Sequence, residues 1–309
     1  MSQYHNQSFL GMQRSAHGMY GDVGFVQPSL TVEQPQQQYT MIGNTHNQPS
    51  VAFHGVRFGS NNDADVQIEQ WWPMYSKALY IIARTLQVND VLTERAVKIF
   101  VYSLAQLLPN ATVRQYVQDF MSGKQYTIDM IVKTNPILFS TYPTLENSLR
   151  HHSKAFMTTC LQNADGQSLL LYFYLLHMLM VSIAAVHGVQ LSYPKLNEVR
   201  NMYDPTTITI GDWGSSIWFI LHTCSLYAPE PMDKSFTNYR NMLYSLQYLL
   251  PCPKCRDHLS QNLQYINLLS CPKTRTDLFK CSWQLHNIVN QSRDAPLVSF
   301  QEAINKYTF

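Results

Sequence analysis

Two cysteines separated by two residues form the group in this sequence with the clearest capacity for chemistry. Cys252-Pro-Lys-Cys255 follows Leu-Leu-Pro and precedes a helical pattern, which places both thiols in the first turn of a predicted helix. Unpaired backbone N–H groups and the helix dipole stabilise a thiolate there, and Lys254 and Arg256 add positive charge. Two cysteines within one helical turn can also close a disulfide. The motif therefore predicts a pair that cycles between dithiol and disulfide.

The same spacing also occurs in one half of a zinc site, so metal binding is an alternative. Cys271 and Cys281 are the next cysteines and extend the pattern to CxxC-x15-C-x9-C. The last two ligands of a zinc knuckle usually lie two to four residues apart, unlike this pair. His258 or His286 could complete a zinc site, but the spacing favours redox chemistry. We therefore predict no metal site.

Two further segments carry tryptophan, histidine and asparagine at spacings that place them on shared helix faces. The side chains are Trp218 and His222 upstream of the cysteines, and Trp283, His286 or Asn287, and Asn290 downstream. A buried imidazole or amide needs a hydrogen-bond partner, because leaving it unpaired is costly. A heteroaromatic ligand rich in donors and acceptors would supply such partners. Singly, each residue is more often structural, but together around the cysteine pair they indicate a ligand pocket.

An internal repeat surrounds these residues. Tyr102 to Arg114 aligns with Tyr244 to Arg256 at an offset of 142 residues (244 − 102), and seven positions carry the same residue. The first copy has Asn110, Val113, Ser76 and Tyr80 where the second has Cys252, Cys255, Trp218 and His222. We therefore predict two related helical modules. The first is a degenerate copy that keeps the bundle scaffold and lacks the redox groups.

The predicted fold class is all-α, built as helical bundles, because apolar residues recur at three- and four-residue spacing from Ile68 onward. Residues 1–66, rich in Gln, Asn, Ser, His and Gly, are predicted to form a mostly irregular arm. The degenerate domain covers 67–205 and the domain with the cysteine pair covers 206–309, joined through a linker at 206–211. Helices are predicted from Ile68 to Ile82, at 93–108 with Thr93 as N-cap, and at 111–121, 144–162, 167–186, 193–203, 213–227, 233–250, 253–268, 274–291 and 299–307.

Composition and charge exclude several classes of protein. The 22 Lys and Arg and 20 Asp and Glu are scattered and give a net charge of +2, so no nucleic-acid partner is expected. No secretory signal is visible, and six cysteines are too few for a disulfide-stapled secreted scaffold of 309 residues. We therefore expect an intracellular protein. The uncharged run 169–186 could span a bilayer by length, but it contains His177 and Ser182 and has no strong basic flank. It is predicted to be a buried bundle helix.

The motifs WGxxxWxxxH with Tyr227, then P-CxxC, then LHNxVN together resemble the Erv/ALR family of FAD-linked sulfhydryl oxidases, from Asp212 to Tyr307. The resemblance implies a small helical bundle that holds FAD. It also implies an enzyme that forms disulfides in dithiol proteins, passing electrons through the CxxC pair to FAD and then to O2 to give H2O2. By position, Cys255 would be the sulfur next to the flavin and Cys252 the sulfur attacked by substrate thiolate. The residues implied to contact the cofactor are Trp213, Gly214, Trp218, His222, Tyr227, Cys255, His286, Asn287, Val289, Asn290, Lys306 and Tyr307.

The sequence departs from the family pattern at three points. Ser215 replaces a frequent Arg, Asp294-Ala-Pro replaces Gly-Lys-Pro, and Cys271 and Cys281 lie closer together than the usual structural pair. Two alternatives to the enzyme are therefore a zinc-binding adaptor and a binding protein whose flavin site has decayed. The inert upstream module is similar to that of sulfhydryl oxidases of baculoviruses and related insect DNA viruses, which implies host cytoplasm or nucleus and the virion. Family members commonly form homodimers, although the first module could occupy that face here.

Overall fold

The computed structural model describes residues 66–86, 91–162, 166–264 and 274–309, so the predicted arm lies outside the described residues except for Val66. The described residues contain thirteen α-helices and no strand, which confirms the all-α class. The helices are α1 (Ile68–Thr85), α2 (Val91–Leu107), α3 (Ala111–Met121), α4 (Gln125–Thr134), α5 (Pro136–Thr141), α6 (Pro143–Gln162), α7 (Gly166–Val186), α8 (Leu196–Met202), α9 (Ile210–Leu226), α10 (Met232–Leu249), α11 (Pro253–Asn262), α12 (Arg275–Gln291) and α13 (Phe300–Tyr307).

The bounds of three successive helices follow the internal repeat. The first residues of α1, α2 and α3 are 68, 91 and 111, and those of α9, α10 and α11 are 210, 232 and 253. Corresponding helices therefore start within one residue of the same offset. The caps also correspond, since the Asn110 side chain accepts a hydrogen bond from the backbone of Val113, and Cys252 accepts one from Cys255. These bounds support the predicted repeat, while the domain limits and the degenerate origin of the first copy stay predictions.

Helices of the two modules pack directly against each other. α2 lies against α10, and α1 contacts both α7 of its own module and α9 of the other. One buried cluster of apolar side chains runs through both modules. Within the C-terminal module, α9 packs against α12 and α13, and α11 packs against α10 and α12. The helices that carry the cysteine, tryptophan and histidine motifs therefore surround a common interior.

A buried tyrosine links the modules through its hydroxyl. The Tyr75 hydroxyl on α1 lies 2.7 Å from Oγ1 of Thr223 and 3.2 Å from Sγ of Cys224, both on α9. We expect Tyr75→Phe to lower the free energy of unfolding by about 1–2 kcal/mol, because two buried polar groups lose a partner. Urea unfolding of the full chain measures this. Tyr193→Phe, at a 43% exposed tyrosine, is the control. Equal losses in the two variants would contradict a bond that joins the modules.

The apolar run at 169–186 forms most of α7, the one helix among the described residues that is long and apolar enough to cross a membrane. Its apolar window is 83% buried inside the protein, against α1, α4 and α6. All-round burial explains its lack of a polar face. The structure therefore shows α7 as an interior helix of the bundle, as predicted.

Several predicted helix limits were wrong. Thr93 is not an N-cap, because α2 begins at Val91 and Thr93 is buried within it. The linker predicted at 206–211 ends early, since Thr209 caps α9 and Ile210 already belongs to the helix. α11 ends at Asn262, earlier than predicted. The helices α4 and α5 were not predicted; they are short, and Pro136 and Pro143 interrupt the segment they occupy.

Candidate functional site

The two motif cysteines form a disulfide at the start of α11, as the sequence predicts. Their Cα atoms are 5.1 Å apart, and both residues are half-buried. Cys252 is the N-cap residue, and its sulfur accepts a hydrogen bond of 3.2 Å from the backbone N–H of Cys255. Pro253 occupies the first helical position, where its missing N–H costs no hydrogen bond. Local sequence therefore determines both the helix start and the closeness of the sulfurs.

The electrostatic surroundings of the disulfide favour a thiolate once the bond opens. The first turn of α11 carries no acidic residue, and its free N–H groups and dipole point toward the cysteines. Lys254 is exposed beside them. Arg256, however, donates to the backbone carbonyl of Tyr248 at 3.4 Å, so its guanidinium is partly engaged in the chain's own structure. The helix terminus supplies the main stabilisation.

A cluster of histidines and aromatic rings lies between α9, α12 and α13. His222 is completely buried, and its Nε2 lies 2.9 Å from Nδ1 of His286. The Tyr307 ring lies 4.4 Å from the His222 ring, centroid to centroid. Trp218 stacks on His286 with centroids 4.0 Å apart and planes only 9° from parallel. The structure therefore brings together four of the predicted cofactor residues.

Both histidines of this cluster are held neutral. Burial, followed by His286 and Lys306, lowers the pKa of His222 well below its ordinary value. Burial and Lys306 also lower the pKa of His286, to about 4. At neutral pH the two rings therefore act as hydrogen-bonding, stacking groups without charge. Neutral rings lack the positive charge that attracts an anion, so they suit an uncharged planar ring better.

The C-terminal residues close one side of the cluster. Tyr227 accepts a hydrogen bond of 2.8 Å from the backbone N–H of Phe309, and the two rings stack 5.4 Å apart. Lys306 is exposed, with its ammonium group 5.6 Å from the centroid of the Tyr307 ring. Phe309 carries no motif in the sequence, and only the structure reveals its contact with Tyr227.

The remaining predicted cofactor residues are spread along α9 and α12. Trp213 is buried and Gly214 half-buried, both near the start of α9. Val289 is half-buried on α12, next to Asn290. The structure gives these three residues no contact that identifies a ligand site, and their role stays a prediction.

Asn287 and Asn290 bond to the segment that follows α12. Asn287 donates to the carbonyl of Val298 at 2.8 Å and accepts from its N–H at 3.0 Å, while Trp283 donates to the same carbonyl at 2.7 Å. Asn290 donates to the carbonyl of Pro296 at 3.0 Å. These side chains hold the segment between α12 and α13 against α12. Their predicted contact with a cofactor stays a prediction, and the structure assigns them this bracing role.

We expect Asn287→Ala to loosen the segment that leads into α13. Loss of two hydrogen bonds to Val298 should lower the free energy of unfolding by about 2 kcal/mol. Asn290→Ala is the matched control, since it removes one bond and should cost about half as much. Thermal unfolding of both variants tests this. A larger loss for Asn290→Ala would contradict the bracing role of Asn287.

Ser282 is a site residue that the sequence analysis missed. It is almost completely buried on α12, and its hydroxyl oxygen lies 2.9 Å from Nδ1 of His222. It lies one helical turn before His286, so helical spacing could have placed it on the same face of α12. Cys281, beside it, is half-buried, and its predicted relation to Cys271 lies outside the described residues.

The described residues contain no group of three or more His, Cys, Asp or Glu side chains that could hold a metal ion. Cys271 is outside those residues, so its part in a zinc site is not described. The sulfurs of Cys252 and Cys255 are bonded to each other.

Fold and site together define a class: a helical bundle that carries a disulfide at one helix N-terminus and, between other helices, a cluster of stacked aromatic rings and neutral histidines. Comparison with known proteins gives the family. Residues 215–308 match the Erv1/Alr family model. Residues 215–308 of the C-terminal module are therefore similar to the Erv1/Alr family, as the motifs indicated.

Two relatives come from viruses. A protein of Acanthamoeba polyphaga mimivirus, named "Probable FAD-linked sulfhydryl oxidase", is 32% identical over 97 residues, or 30% of this chain and 66% of that protein. One of Invertebrate iridescent virus 3, named "Putative FAD-linked sulfhydryl oxidase", is 27% identical over 96 residues, or 31% of this chain and 65% of that protein. The chain thus spans just under two thirds of the length of these relatives. No solved structure gives a significant match.

Proposed function

We propose that this protein is a FAD-dependent thiol oxidase that forms disulfides in partner proteins. The observation that carries the proposal is the Cys252–Cys255 disulfide at the N-terminus of α11, a helix that packs against the His286-bearing α12. A match of residues 215–308 to the Erv1/Alr family and two viral relatives named as FAD-linked sulfhydryl oxidases support it. Dithiol proteins are the proposed substrates, and O2 the proposed electron acceptor, giving H2O2.

The residues present fit a flavin. Trp218 and His286 lie parallel and present flat aromatic surfaces of the kind on which planar rings stack. His286 is neutral at physiological pH, so its Nε2 can donate or accept a hydrogen bond to a ring nitrogen or carbonyl. Trp218, His286 and Tyr307 are proposed to hold FAD. The side chains available therefore match the chemistry of the cofactor.

The proposed reaction begins at the disulfide. A substrate thiolate attacks Sγ of Cys252, which forms a mixed disulfide and releases Cys255 as a thiolate stabilised by the α11 N-terminus. A second substrate thiolate attacks the substrate sulfur of that mixed disulfide, which releases oxidised substrate and leaves Cys252 and Cys255 reduced. FAD, when bound, supplies the acceptor for the two electrons and passes them to O2. Loss of the electron pair restores the Cys252–Cys255 bond, and the two thiol protons leave with the products.

The first module is proposed to act as scaffold. At the positions of Cys252 and Cys255 it has Asn110 and Val113, so it has no disulfide to open. Its helices α1 and α2 cover α9 and α10. We propose that this contact shields the helices of the second module from solvent. The Cys252–Cys255 pair is then the redox centre proposed for the chain.

Oxygen uptake and peroxide production by the full chain with a small dithiol test the function. The proposal predicts dithiol-dependent uptake with one H2O2 formed for each disulfide. Metal content measured on the same sample distinguishes the zinc-adaptor alternative. A protein with stoichiometric zinc and no dithiol-dependent uptake would overturn the proposal, and a flavin-free protein without uptake would indicate a decayed site.

A further inference from the structure

A chain of three hydrogen-bonded side chains in the C-terminal module takes no part in the thiol chemistry above. Ser282 Oγ lies 2.9 Å from Nδ1 of His222, and Nε2 of His222 lies 2.9 Å from Nδ1 of His286. Ser282 and His222 are buried, and His286 is half-buried. A neutral imidazole has one donor nitrogen and one acceptor nitrogen. The direction of the first hydrogen bond therefore fixes the direction of the next.

The first module contains a matching pair whose direction can be assigned. Tyr80 stands at the position of His222, and its hydroxyl lies 2.7 Å from Nδ1 of His177. Burial raises the pKa of Tyr80 well above its ordinary value, so the phenol keeps its proton and donates to Nδ1. The His177 ring also hydrogen-bonds to the backbone of Ser192. A neutral ring that accepts at Nδ1 makes that second bond by donating through Nε2.

The two modules share more than this pair. Tyr203 lies over Tyr80 at 5.9 Å with an interplanar angle of 33°, and Tyr307 lies over His222 at 4.4 Å with an angle of 32°. The histidine on the facing helix is thus in the same setting in both modules. His177 already has a backbone partner for its second nitrogen. Among the residues that the structure describes, no hydrogen-bond partner occurs for Nε2 of His286.

We propose that Ser282 is a positioning residue: it donates to Nδ1 of His222, so that His222 donates through Nε2 to Nδ1 of His286, and His286 presents its Nε2–H to an acceptor atom of the bound flavin nucleotide. The identity of that ligand rests on the proposed function. Besides the stacked rings of Trp218 and Tyr307, other side chains face the chain of bonds. Phe279 lies against His222, the Tyr239 hydroxyl interacts with that of Ser282, and the charge of Lys306 disfavours protonation of both histidines.

Tautomers of the two histidines test this direction without any cofactor. Long-range proton–nitrogen NMR spectra of the full chain, labelled with 15N in histidine, distinguish Nε2–H from Nδ1–H rings. His222→Gln and His286→Gln assign the two signals. The expected result is Nε2–H in both rings. An Nδ1–H tautomer at either ring would overturn the proposal, because His286 would then face the ligand as an acceptor.

Substitution of Ser282 tests its positioning role. Ser282→Ala should produce mixed tautomers at His222 and His286 and weaken FAD binding about tenfold, the loss of one buried hydrogen bond. Ser282→Thr keeps the hydroxyl and should restore both properties. Ser182→Ala, at a buried serine that bonds the backbone of Met178 on α7, is the matched control. Unchanged tautomers in Ser282→Ala would refute the role of Ser282.

The two proposals fail in different ways. A full chain that shows the expected Nε2–H tautomers yet takes up no FAD would overturn the proposed function and the ligand assigned to His286. A chain that binds FAD and oxidises dithiols, but shows Nδ1–H tautomers, would overturn only the role of Ser282.

Discussion

Cys255→Ser is expected to abolish thiol oxidation while leaving the flavin bound. Without this sulfur the disulfide cannot form, so a substrate thiolate has no S–S bond to attack at Cys252. The electrons then have no route from the thiol to FAD. We expect dithiol-dependent oxygen uptake to fall by a factor of about a thousand or more, as removal of a nucleophile generally causes. Oxygen-electrode traces with a small dithiol, normalised to flavin content, measure the loss.

Cys281→Ser is the control for this result. Cys281 is half-buried on α12 and forms no disulfide with another described residue. Its replacement removes a thiol of similar burial from the same module. Rates close to those of the unmodified chain are expected. Oxygen uptake that persists in Cys255→Ser would contradict the assignment of the redox pair.

Stability is expected to fall steeply as the pH decreases from about 6.5 to about 4. His177 is 4% exposed, and burial lowers its pKa to about 4. The unfolded chain therefore binds a proton in this window that the folded chain does not, and the free energy of unfolding decreases as the pH falls. For His177 alone the loss is about 3 kcal/mol. His222 and His286 shift in the same direction and add to it.

Urea unfolding of the full chain across this range measures the effect. His151→Gln, at an exposed histidine on α6, should leave the pH dependence unchanged. The lowered pKa of Asp119, which bonds Lys124 and Tyr126, makes its contribution disappear only at lower pH, so it is separable from the histidines. A stability that stays flat from about pH 6.5 to about pH 4 would contradict the burial of neutral histidines.

Most helices could be predicted because their cause is local. Apolar spacing located α1 and α7, and Pro251 and Pro253 around Cys252 located the start of α11. α4 and α5 could not be found in this way, because proline breaks their segment into pieces too short for a clear periodic pattern. The sequence therefore predicted the presence of most helices, but not their first and last residues.

The residue types of the site could be predicted from the sequence, but not which side chains point into it. Spacing placed Trp218 and His222 on one face, and the structure stacks both on the same cluster. Spacing could not decide which of His286 and Asn287 faces inward, because neighbouring residues differ by only 100° around a helix, as about 3.6 residues per turn requires. Packing of α12 against α9 decides it, and that depends on long-range contacts.

The repeat gave information that a single module could not. Corresponding helices begin within one residue of its offset, yet the packing of α1 on α9 and α2 on α10 follows from tertiary contacts alone. It also supplies an internal comparison, since Tyr80 and His177 reproduce the arrangement of His222 and His286 without a redox pair nearby. The difference between the modules therefore coincides with the residues proposed for the thiol chemistry.

Flavin content and its response to thiol form the most direct test of the central claim. The absorption spectrum of the freshly purified full chain should show about one FAD per chain, because only the second module carries a redox pair. Anaerobic addition of a dithiol should bleach that band in the unmodified chain and leave it intact in Cys255→Ser. A folded protein that is colourless and takes up no added FAD, or a flavin band that the dithiol does not bleach, would contradict the account.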